Sequence, residues 1–262
     1  MEKLDYLIRY LIEESNREDL KYYSGNKKTL YRALVNVREA HPISEEFLKA
    51  EDEYLKEELS KVEVADVDKL KTISEIIPSS NLKNKNRICL WRGDITKIKI
   101  GAIVNAGNSV GLGCFLPNHI CIDNQINTFA GVRLRLACNE IMKKLNYNLE
   151  TGKAIITKGF NLPAEFVIQT VGPIIEYKVT KEKEEDLENC YKNSLELAIQ
   201  NNIKTIAFPC ISTGVFRFPK DIASKIAIKT VDEFLSRNKE IEKVVFSLWS
   251  EEDVEVYERN VR

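Results

Sequence analysis

The amino-acid sequence predicts an α/β protein, a three-layer α/β/α sandwich that follows a helical N-terminal segment. After residue 86, short apolar runs alternate with longer amphipathic stretches, which is the pattern of strands alternating with helices. Two of the runs, TIAFPCI and KVVFSLW, are apolar almost throughout. Such runs are typical of strands that helices cover on both faces, and they therefore favour the sandwich.

Residues 1–80 are expected to be helical, without a strand. The first helix is indicated by apolar residues at i, i+3, i+4, i+7 and i+8: Leu4, Leu7, Ile8, Leu11 and Ile12. Further helices are predicted around residues 30–37 and 44–60, the latter starting at Ser44. Its charged run EDEYLKEEL is typical of a solvated helix face. We expect the apolar stripes to pack on the sandwich; a platform for a protein substrate is the alternative.

The linker-like segment PSSNLKNKN at 78–86 divides the chain into a helical N-terminal extension, 1–80, and an α/β domain, 81–262. Strands are predicted at 87–91, 102–106, 154–158, 166–171, 205–210 and 243–249. Helices are predicted at 123–145, 184–201, 220–238 and 251–261.

Composition limits the classes of function. The chain is 44% hydrophobic and 30% charged, as in soluble globular proteins. We find no apolar run approaching the roughly 20 residues that span a bilayer, and the charged N-terminus MEKLDYLIRYLIEES is unlike a secretory signal. A cytoplasmic location is expected, where six cysteines do not suggest a disulfide framework. The formal net charge of −1 gives no general electrostatic case for nucleic acid or a membrane as partner.

The segment GCFLPNHIC places Cys114, His119 and Cys121 within eight residues. Two thiolates and an imidazole suit zinc, and three protein ligands leave a tetrahedral ion one open position, as in catalytic sites. The alternative is that both cysteines are small core residues and that His119 is an ordinary loop residue. The remaining cysteines, Cys89, Cys138, Cys190 and Cys210, are expected to be packing residues.

Two loops have the composition of a phosphate-binding turn. ISTGVFRFP follows a predicted strand and offers backbone N–H groups at Ser212, Thr213 and Gly214. NSVGLG offers the same after another strand, yet neither loop matches GxGxxG or a P-loop. Taken alone, each loop is weak evidence for a phosphate site, because an ordinary tight turn has the same composition. Because both loops and the Cys/His segment follow strand carboxyl ends, we expect them to meet at one crevice.

Several ordered motifs together resemble the macrodomain family, whose members bind ADP-ribose. They are WRGDITKIKIGAIVNAGNS, INTFAGVRLR, VIQTVGP and FPCISTGVF. GCFLPNHICIDN matches a zinc-containing subgroup of bacterial protein-ADP-ribose hydrolases, and TLYRALVNVREAHPISEEFLKAEDEYL resembles the helical extension of that subgroup. The resemblance covers nearly the whole chain and implies a mixed central sheet.

The function that the resemblance implies is zinc-dependent removal of mono-ADP-ribose from modified protein side chains. That subgroup accompanies a sirtuin-like ADP-ribosyltransferase and a lipoyl-carrier protein, so a glycine-cleavage H-like protein is the expected substrate. The alternative is a non-catalytic module that binds ADP-ribose or O-acetyl-ADP-ribose around a structural zinc. A nucleic-acid-binding zinc module is disfavoured, because basic and aromatic residues do not interleave with the zinc motif.

The resemblance also assigns roles at the adenine and phosphate end of the ligand. Asp94 accepts a hydrogen bond from the adenine amino group, with Ile95 beside it. Trp249 packs on the adenine, although a core position is equally consistent with the sequence. The phosphates are surrounded by the loop residues Ser212, Thr213, Gly214 and Val215.

At the other end, the resemblance makes Asn105 and Asp123 the expected catalytic residues. Asn105 orients the distal ribose, Asn108 shapes the same loop, and Phe216 packs near the sugar. Asp123 stands near the scissile bond, with a helix cap as its alternative role. Asn127 and Gln169 occupy positions where related sequences often carry histidine, so catalysis depends more on the metal or on Asp123.

Overall fold

Strands and helices alternate through most of the chain in the computed structural model, which describes residues 2–21 and 23–262. The strands are β1 Ala65–Asp66, β2 Ile88–Arg92, β3 Ile98–Ala106, β4 Ala154–Lys158, β5 Ala164–Thr170, β6 Thr205–Phe208 and β7 Lys243–Leu248. The helices are α1 Glu2–Glu14, α2 Lys27–Val37, α3 Glu45–Ser60, α4 Ile73–Ile76, α5 Ile122–Ala130, α6 Val132–Lys144, α7 Lys181–Gln200, α8 Lys220–Arg237 and α9 Glu251–Asn260. In the described chain, no helix combines the length and apolar character needed to cross a membrane.

The central sheet has the strand order β2–β7–β6–β3–β5–β4. Its neighbours are parallel except for β4, which runs antiparallel to β5. Successive residues of a strand face opposite sides of the sheet. In β7, Val244 and Phe246 enter one core, whereas Val245 enters the other. The predicted three-layer fold with a mixed sheet is therefore confirmed.

Helices cover both faces of the sheet. The larger core lies beneath α7, α8 and α9, where the fully buried ring of Tyr191 packs 4.9 Å from that of Phe208, measured between ring centroids. The smaller core lies beneath α5 and α6 and includes Ile126 and Leu134. All six predicted strands are present, although β6 ends at Phe208, because Pro209 has no N–H to continue the ladder.

The prediction of a single helix over 123–145 was wrong. The chain breaks between α5 and α6 at Gly131, whose φ of 86° lies in a region that side chains with a Cβ rarely adopt. A Cβ at Gly131 would lie 2.7 Å from Glu51 Oε2. Since Glu51 accepts a hydrogen bond from the N–H of Val132 at 2.9 Å, the break places the start of α6 against this carboxylate.

The N-terminal helices α1, α2 and α3 share a core of their own that also takes in Val132 of α6. They thus pack on the sandwich, as expected. The expectation of no strand in this region was wrong, since β1 pairs parallel with the start of β3. A two-residue strand is too short to produce an alternating pattern in sequence. The division of the chain at residue 80 remains a prediction. Ile73, which precedes that boundary, already belongs to the larger core of the sandwich.

Glu51 generates a testable pH dependence. Its carboxylate is fully buried and accepts from Tyr31 Oη at 2.6 Å. Burial raises the pKa of Glu51 from 4.5 to about 7, against the lowering effects of the bonds from Tyr31 and Val132; Asp52 also raises the pKa and Arg38 lowers it. The folded protein therefore binds the extra proton between these pKa values, and stability falls as pH rises through that window.

We expect Glu51→Gln, which keeps an oxygen acceptor without the charge, to remove this loss. Between about pH 5 and about pH 8, the free energy of unfolding of the wild type should fall relative to the variant by at most about 3 kcal/mol. Urea unfolding at several pH values measures the difference. Glu46→Gln, which alters an exposed carboxyl on the same helix, should leave the profile unchanged. Identical profiles for Glu51→Gln and the wild type would contradict the assignment.

Candidate functional site

A cleft of about 460 Å³ opens at the carboxyl ends of the parallel strands. Its walls are the segments that follow β2, β3, β6 and β7, with Gly172 contributed from beyond β5. Parallel strands deliver their following loops to one edge of the sheet, which is where ligands of open α/β sheets bind. The expected convergence is therefore observed for the loop 212–216 and the Cys/His segment, whereas of the NSVGLG loop only Asn108 lines the cleft.

Most of the residues singled out from the sequence line this cleft. They are Asp94, Ile95, Asn108, Cys114, His119, Cys121, Asp123, Ser212, Thr213, Gly214, Val215, Phe216 and Trp249. Asn105, expected to be catalytic, is fully buried behind the wall, and Asn127 and Gln169 are likewise buried and do not line the cleft. The shared location of the lining residues is a structural fact, whereas the role of each remains a prediction.

The Cys/His cluster has the geometry of a small metal site. The ligand atoms of Cys114, His119 and Cys121 all lie within 4.8 Å of one another, and Cys114 Sγ is 3.4 Å from His119 Nδ1. Tetrahedral zinc with ordinary Zn–S and Zn–N bonds requires sulfur–nitrogen separations of about 3.6 Å. All three residues are half-buried at the cleft wall, outside the core clusters, so the alternative of core packing was wrong. The donor set fits zinc.

Cys121 combines two local features. It is the N-cap of α5, and its Sγ accepts from the N–H of Asn124 at 3.4 Å. Burial raises the pKa of the Cys121 thiol to about 12, against the lowering effect of that hydrogen bond. At neutral pH the thiolate therefore requires a neighbouring cation, which is what a bound metal ion provides.

Asp123 at the cleft wall and Asn105 behind it form a buried polar pair. Asn105 Nδ2 donates to Asp123 Oδ1 at 2.8 Å, and Asn127 Nδ2 donates to the same oxygen at 3.0 Å. Burial raises the pKa of Asp123, and hydrogen bonds from both amides oppose that shift. Because Cys121 is the N-cap of α5, the alternative role of Asp123 as a cap was wrong. Asn105 contacts Asp123, which lines the cleft, and is not itself a lining residue.

The loop 212–216 presents donors for an anion. In the described chain, the N–H groups of Gly214, Val215 and Phe216 donate to no backbone carbonyl. Ser212 has a φ of 65°, and its buried Oγ has no hydrogen-bond partner among the residues that the structure describes. A Cβ at Gly172 would lie only 2.0 Å from this Oγ, so glycine is required opposite the loop.

Asp94 and Trp249 line the part of the cleft that follows the neighbouring strands β2 and β7. Asp94 Oδ1 accepts from the N–H and the hydroxyl of Thr96, and Oδ2 forms an ion pair with Lys97 at 3.1 Å. Trp249 is 71% exposed, which excludes the core position that the sequence left open. Its ring is available to a flat, apolar ligand surface.

Sequence reasoning missed some lining residues. Cys210 packs against the larger core, as expected, but unlike the buried Cys89, Cys138 and Cys190 it is half-buried and also lines the cleft. Its position directly before the 212–216 loop, at a strand carboxyl end, was the available signal. Gln125 and Thr96 also line the cleft and follow expected site residues closely in sequence.

Taken together, the fold and cleft of the described chain define an α/β/α domain in which a loop with unpaired backbone N–H groups, an exposed indole ring and a candidate metal centre line one cleft. The model of the Macro domain matches residues 104–227. A protein of Staphylococcus aureus (strain MSSA476) named protein-ADP-ribose hydrolase is 44% identical over 259 residues, 97% of this chain and 93% of the relative. A protein of Treponema medium with the same name is 41% identical over 98% of this chain and 97% of its own length. The chain belongs to the Macro domain family.

Solved structures agree with this assignment. The Oceanobacillus iheyensis macrodomain with ADP is 41% identical, with a TM-score of 0.60, over 66% of this chain and 88% of its own. The Trypanosoma brucei macrodomain in complex with ADP-ribose is 27% identical, with a TM-score of 0.67, over 88% of this chain and 95% of its own.

The Cys/His segment depends on a glycine, which gives a prediction. Gly113 has a φ of 89°, and a Cβ there would lie 2.7 Å from Asn127 Nδ2. Gly113→Ala should lower the free energy of unfolding by about 1–3 kcal/mol, through backbone strain and the clash. Gly214→Ala, whose Cβ would meet nothing within 4 Å, should change it by less than about 0.5 kcal/mol. Urea denaturation measures both, and equal effects would disprove the strain at Gly113.

Proposed function

We propose that this protein is a zinc-dependent hydrolase that removes mono-ADP-ribose from modified protein side chains. Two relatives that match nearly the whole chain carry the name protein-ADP-ribose hydrolase. The observation that carries the proposal is that Asp123 and the Cys114/His119/Cys121 cluster share one cleft with the donor loop 212–216. Binding and bond cleavage therefore have separate groups within reach of one ligand.

In this proposal the cleft binds ADP-ribose along its length. Trp249 packs on the adenine, and Asp94 accepts from the adenine amino group. The free N–H groups of the 212–216 loop donate to the diphosphate, which requires no basic surface and agrees with the near-neutral charge. Phe216 packs near the distal ribose, directing the linkage to the protein toward Asp123 and the metal cluster.

Near the bond to be cleaved, the chain's own residues orient Asp123 and keep the glycine-containing loop folded. Asn105 and Asn127 both donate to Oδ1 of Asp123, which leaves Oδ2 to act on the sugar side. Asn108 keeps the glycine-containing loop folded, as its Oδ1 accepts from the N–H of Val110 at 3.1 Å and its Nδ2 donates to the carbonyl of Gly113 at 3.2 Å. Cys114, His119 and Cys121 would hold the zinc, which would supply a Lewis acid for a ribose hydroxyl, the linkage or a water.

The proposed partners follow from the family resemblance. A sirtuin-like ADP-ribosyltransferase adds the modification, and a lipoyl-carrier protein of the glycine-cleavage H type is the substrate. The proposed setting is the cytoplasm, without nucleic-acid or membrane partners.

The first test separates hydrolysis from binding. Purified protein is incubated with an auto-modified ADP-ribosyltransferase, and free ADP-ribose is measured by chromatography. We expect release by the wild type and its loss in Cys121→Ala or after chelation, with ADP-ribose affinity retained in each case. Cys89→Ala, which alters a cysteine outside the cleft, should retain release.

The outcomes distinguish the alternatives. Binding without release by the wild type identifies a reader of ADP-ribose with a structural zinc. Unchanged release by Cys121→Ala rejects the zinc mechanism.

Trp249 provides a second test, which concerns affinity alone. Aromatic stacking on a base contributes about 1–3 kcal/mol, so Trp249→Ala should weaken ADP-ribose binding by about 5- to 150-fold. Isothermal titration calorimetry measures the dissociation constant. Tyr177→Ala, which removes a 96% exposed aromatic outside the cleft lining, is the matched control and should bind as the wild type does. An unchanged constant in Trp249→Ala would exclude stacking.

A further inference from the structure

Helix α2 of the N-terminal extension contacts the segment that carries the metal-ligand candidates. Arg32 Nη2 donates to the backbone carbonyl of His119 at 2.8 Å. The same guanidinium donates to Asn124 Oδ1 through Nη2 at 2.8 Å and Nε at 3.2 Å. Arg32 thus connects α2 to one ligand candidate directly, and to α5 through Asn124.

Asn124 is buried between Arg32 and the Cys/His segment. Its Nδ2 donates to the carbonyl of Leu116 at 2.9 Å, and its backbone N–H donates to Cys121 Sγ. An amide side chain accepts hydrogen bonds through its oxygen and donates them through its NH₂ group. The guanidinium of Arg32 has only donors, so it can pair only with the oxygen. Arg32 therefore fixes which way this amide points, so that the NH₂ group faces the loop carbonyls.

Two further residues, Asn36 and Arg135, contact the same segment. Asn36 of α2 is 1% exposed and accepts through Oδ1 from the N–H of Asn118 at 3.0 Å, where the backbone has a φ of 55°. Arg135 of α6 donates to the carbonyl of Leu112 at 2.8 Å, and its guanidinium lies 4.3 Å above the ring centre of Phe115. Arg135 also donates to the carbonyls of Val35 and Arg38 at the end of α2.

From these contacts we infer that α2 preorganises the Cys114/His119/Cys121 donor set, with Arg32 as the positioning residue that sets its affinity for zinc. The inference deepens the proposed function and rests on its metal site. Groups that orient metal ligands typically change metal affinity about 10- to 100-fold when they are removed. The N-terminal extension then contributes to metal binding, through Arg32 of α2.

The test measures zinc affinity, independently of catalysis. Full-length protein is stripped of metal, and zinc is titrated in competition with a chromophoric chelator. Arg32→Ala should bind zinc about 10- to 100-fold more weakly than the wild type. Arg32→Lys keeps the charge and the aliphatic stem but lacks the forked donors, so it should fall between the two. Circular dichroism confirms that each variant is folded at the temperature of the titration.

Arg133→Ala is the matched control. Arg133 also bridges the N-terminal helices to α6, through Asp52 at 3.2 Å, but this ion pair does not involve the segment from Cys114 to Cys121. Wild-type zinc affinity in Arg133→Ala together with weaker binding in both Arg32 variants supports the inference. Equal affinities for Arg32→Lys, Arg32→Ala and the wild type overturn it, and so does equal weakening by Arg133→Ala. Absence of zinc binding by the wild type instead rejects the metal site of the proposed function.

Discussion

The connection between β3 and α5 has to hold three side chains together on a cleft wall while its own backbone forms little regular structure. Its carbonyl groups lack the backbone partners that a helix or a sheet supplies, so side chains provide donors instead. Arg32, Asn124 and Arg135 supply them to His119, Leu116 and Leu112. The close approach of Cys114, His119 and Cys121 depends on these hydrogen bonds, and so does every role proposed for the cluster.

The rest of the cleft follows from sheet topology. Parallel strands deliver the segments after β2, β3, β6 and β7 to one edge, so the exposed ring of Trp249, the loop 212–216 and the candidate metal ligands line the same cleft. Under the proposed function, backbone N–H groups take the place of basic side chains as anion donors, so a chain of net charge −1 can bind a diphosphate. Burial gives Asp123 its raised pKa, and the amides of Asn105 and Asn127 limit that shift.

Much of this arrangement is predictable from sequence. The periodicity of apolar residues predicts the helical and sheet layers, and the polar segments that follow the strands predict where the cleft lies. The β3 and β7 runs and the GCFLPNHIC spacing are local signals of this kind. The break at Gly131 was not predictable, since it depends on Glu51, which is distant in sequence and lies against the start of α6. The contact of Arg32 with His119 is equally non-local, joining residues 87 positions apart. Asn105 was expected at the ligand, and only the fold shows its amide on Asp123.

The coordination shell of the bound ion tests the central claim most directly. X-ray absorption at the zinc edge of zinc-loaded protein should show two sulfur scatterers at about 2.3 Å and nitrogen or oxygen scatterers at about 2.0–2.1 Å. That shell corresponds to Cys114, Cys121, His119 and one exchangeable ligand. A shell without sulfur, or with a single sulfur, would contradict the account, because the ion would then lie elsewhere than on the wall of the cleft.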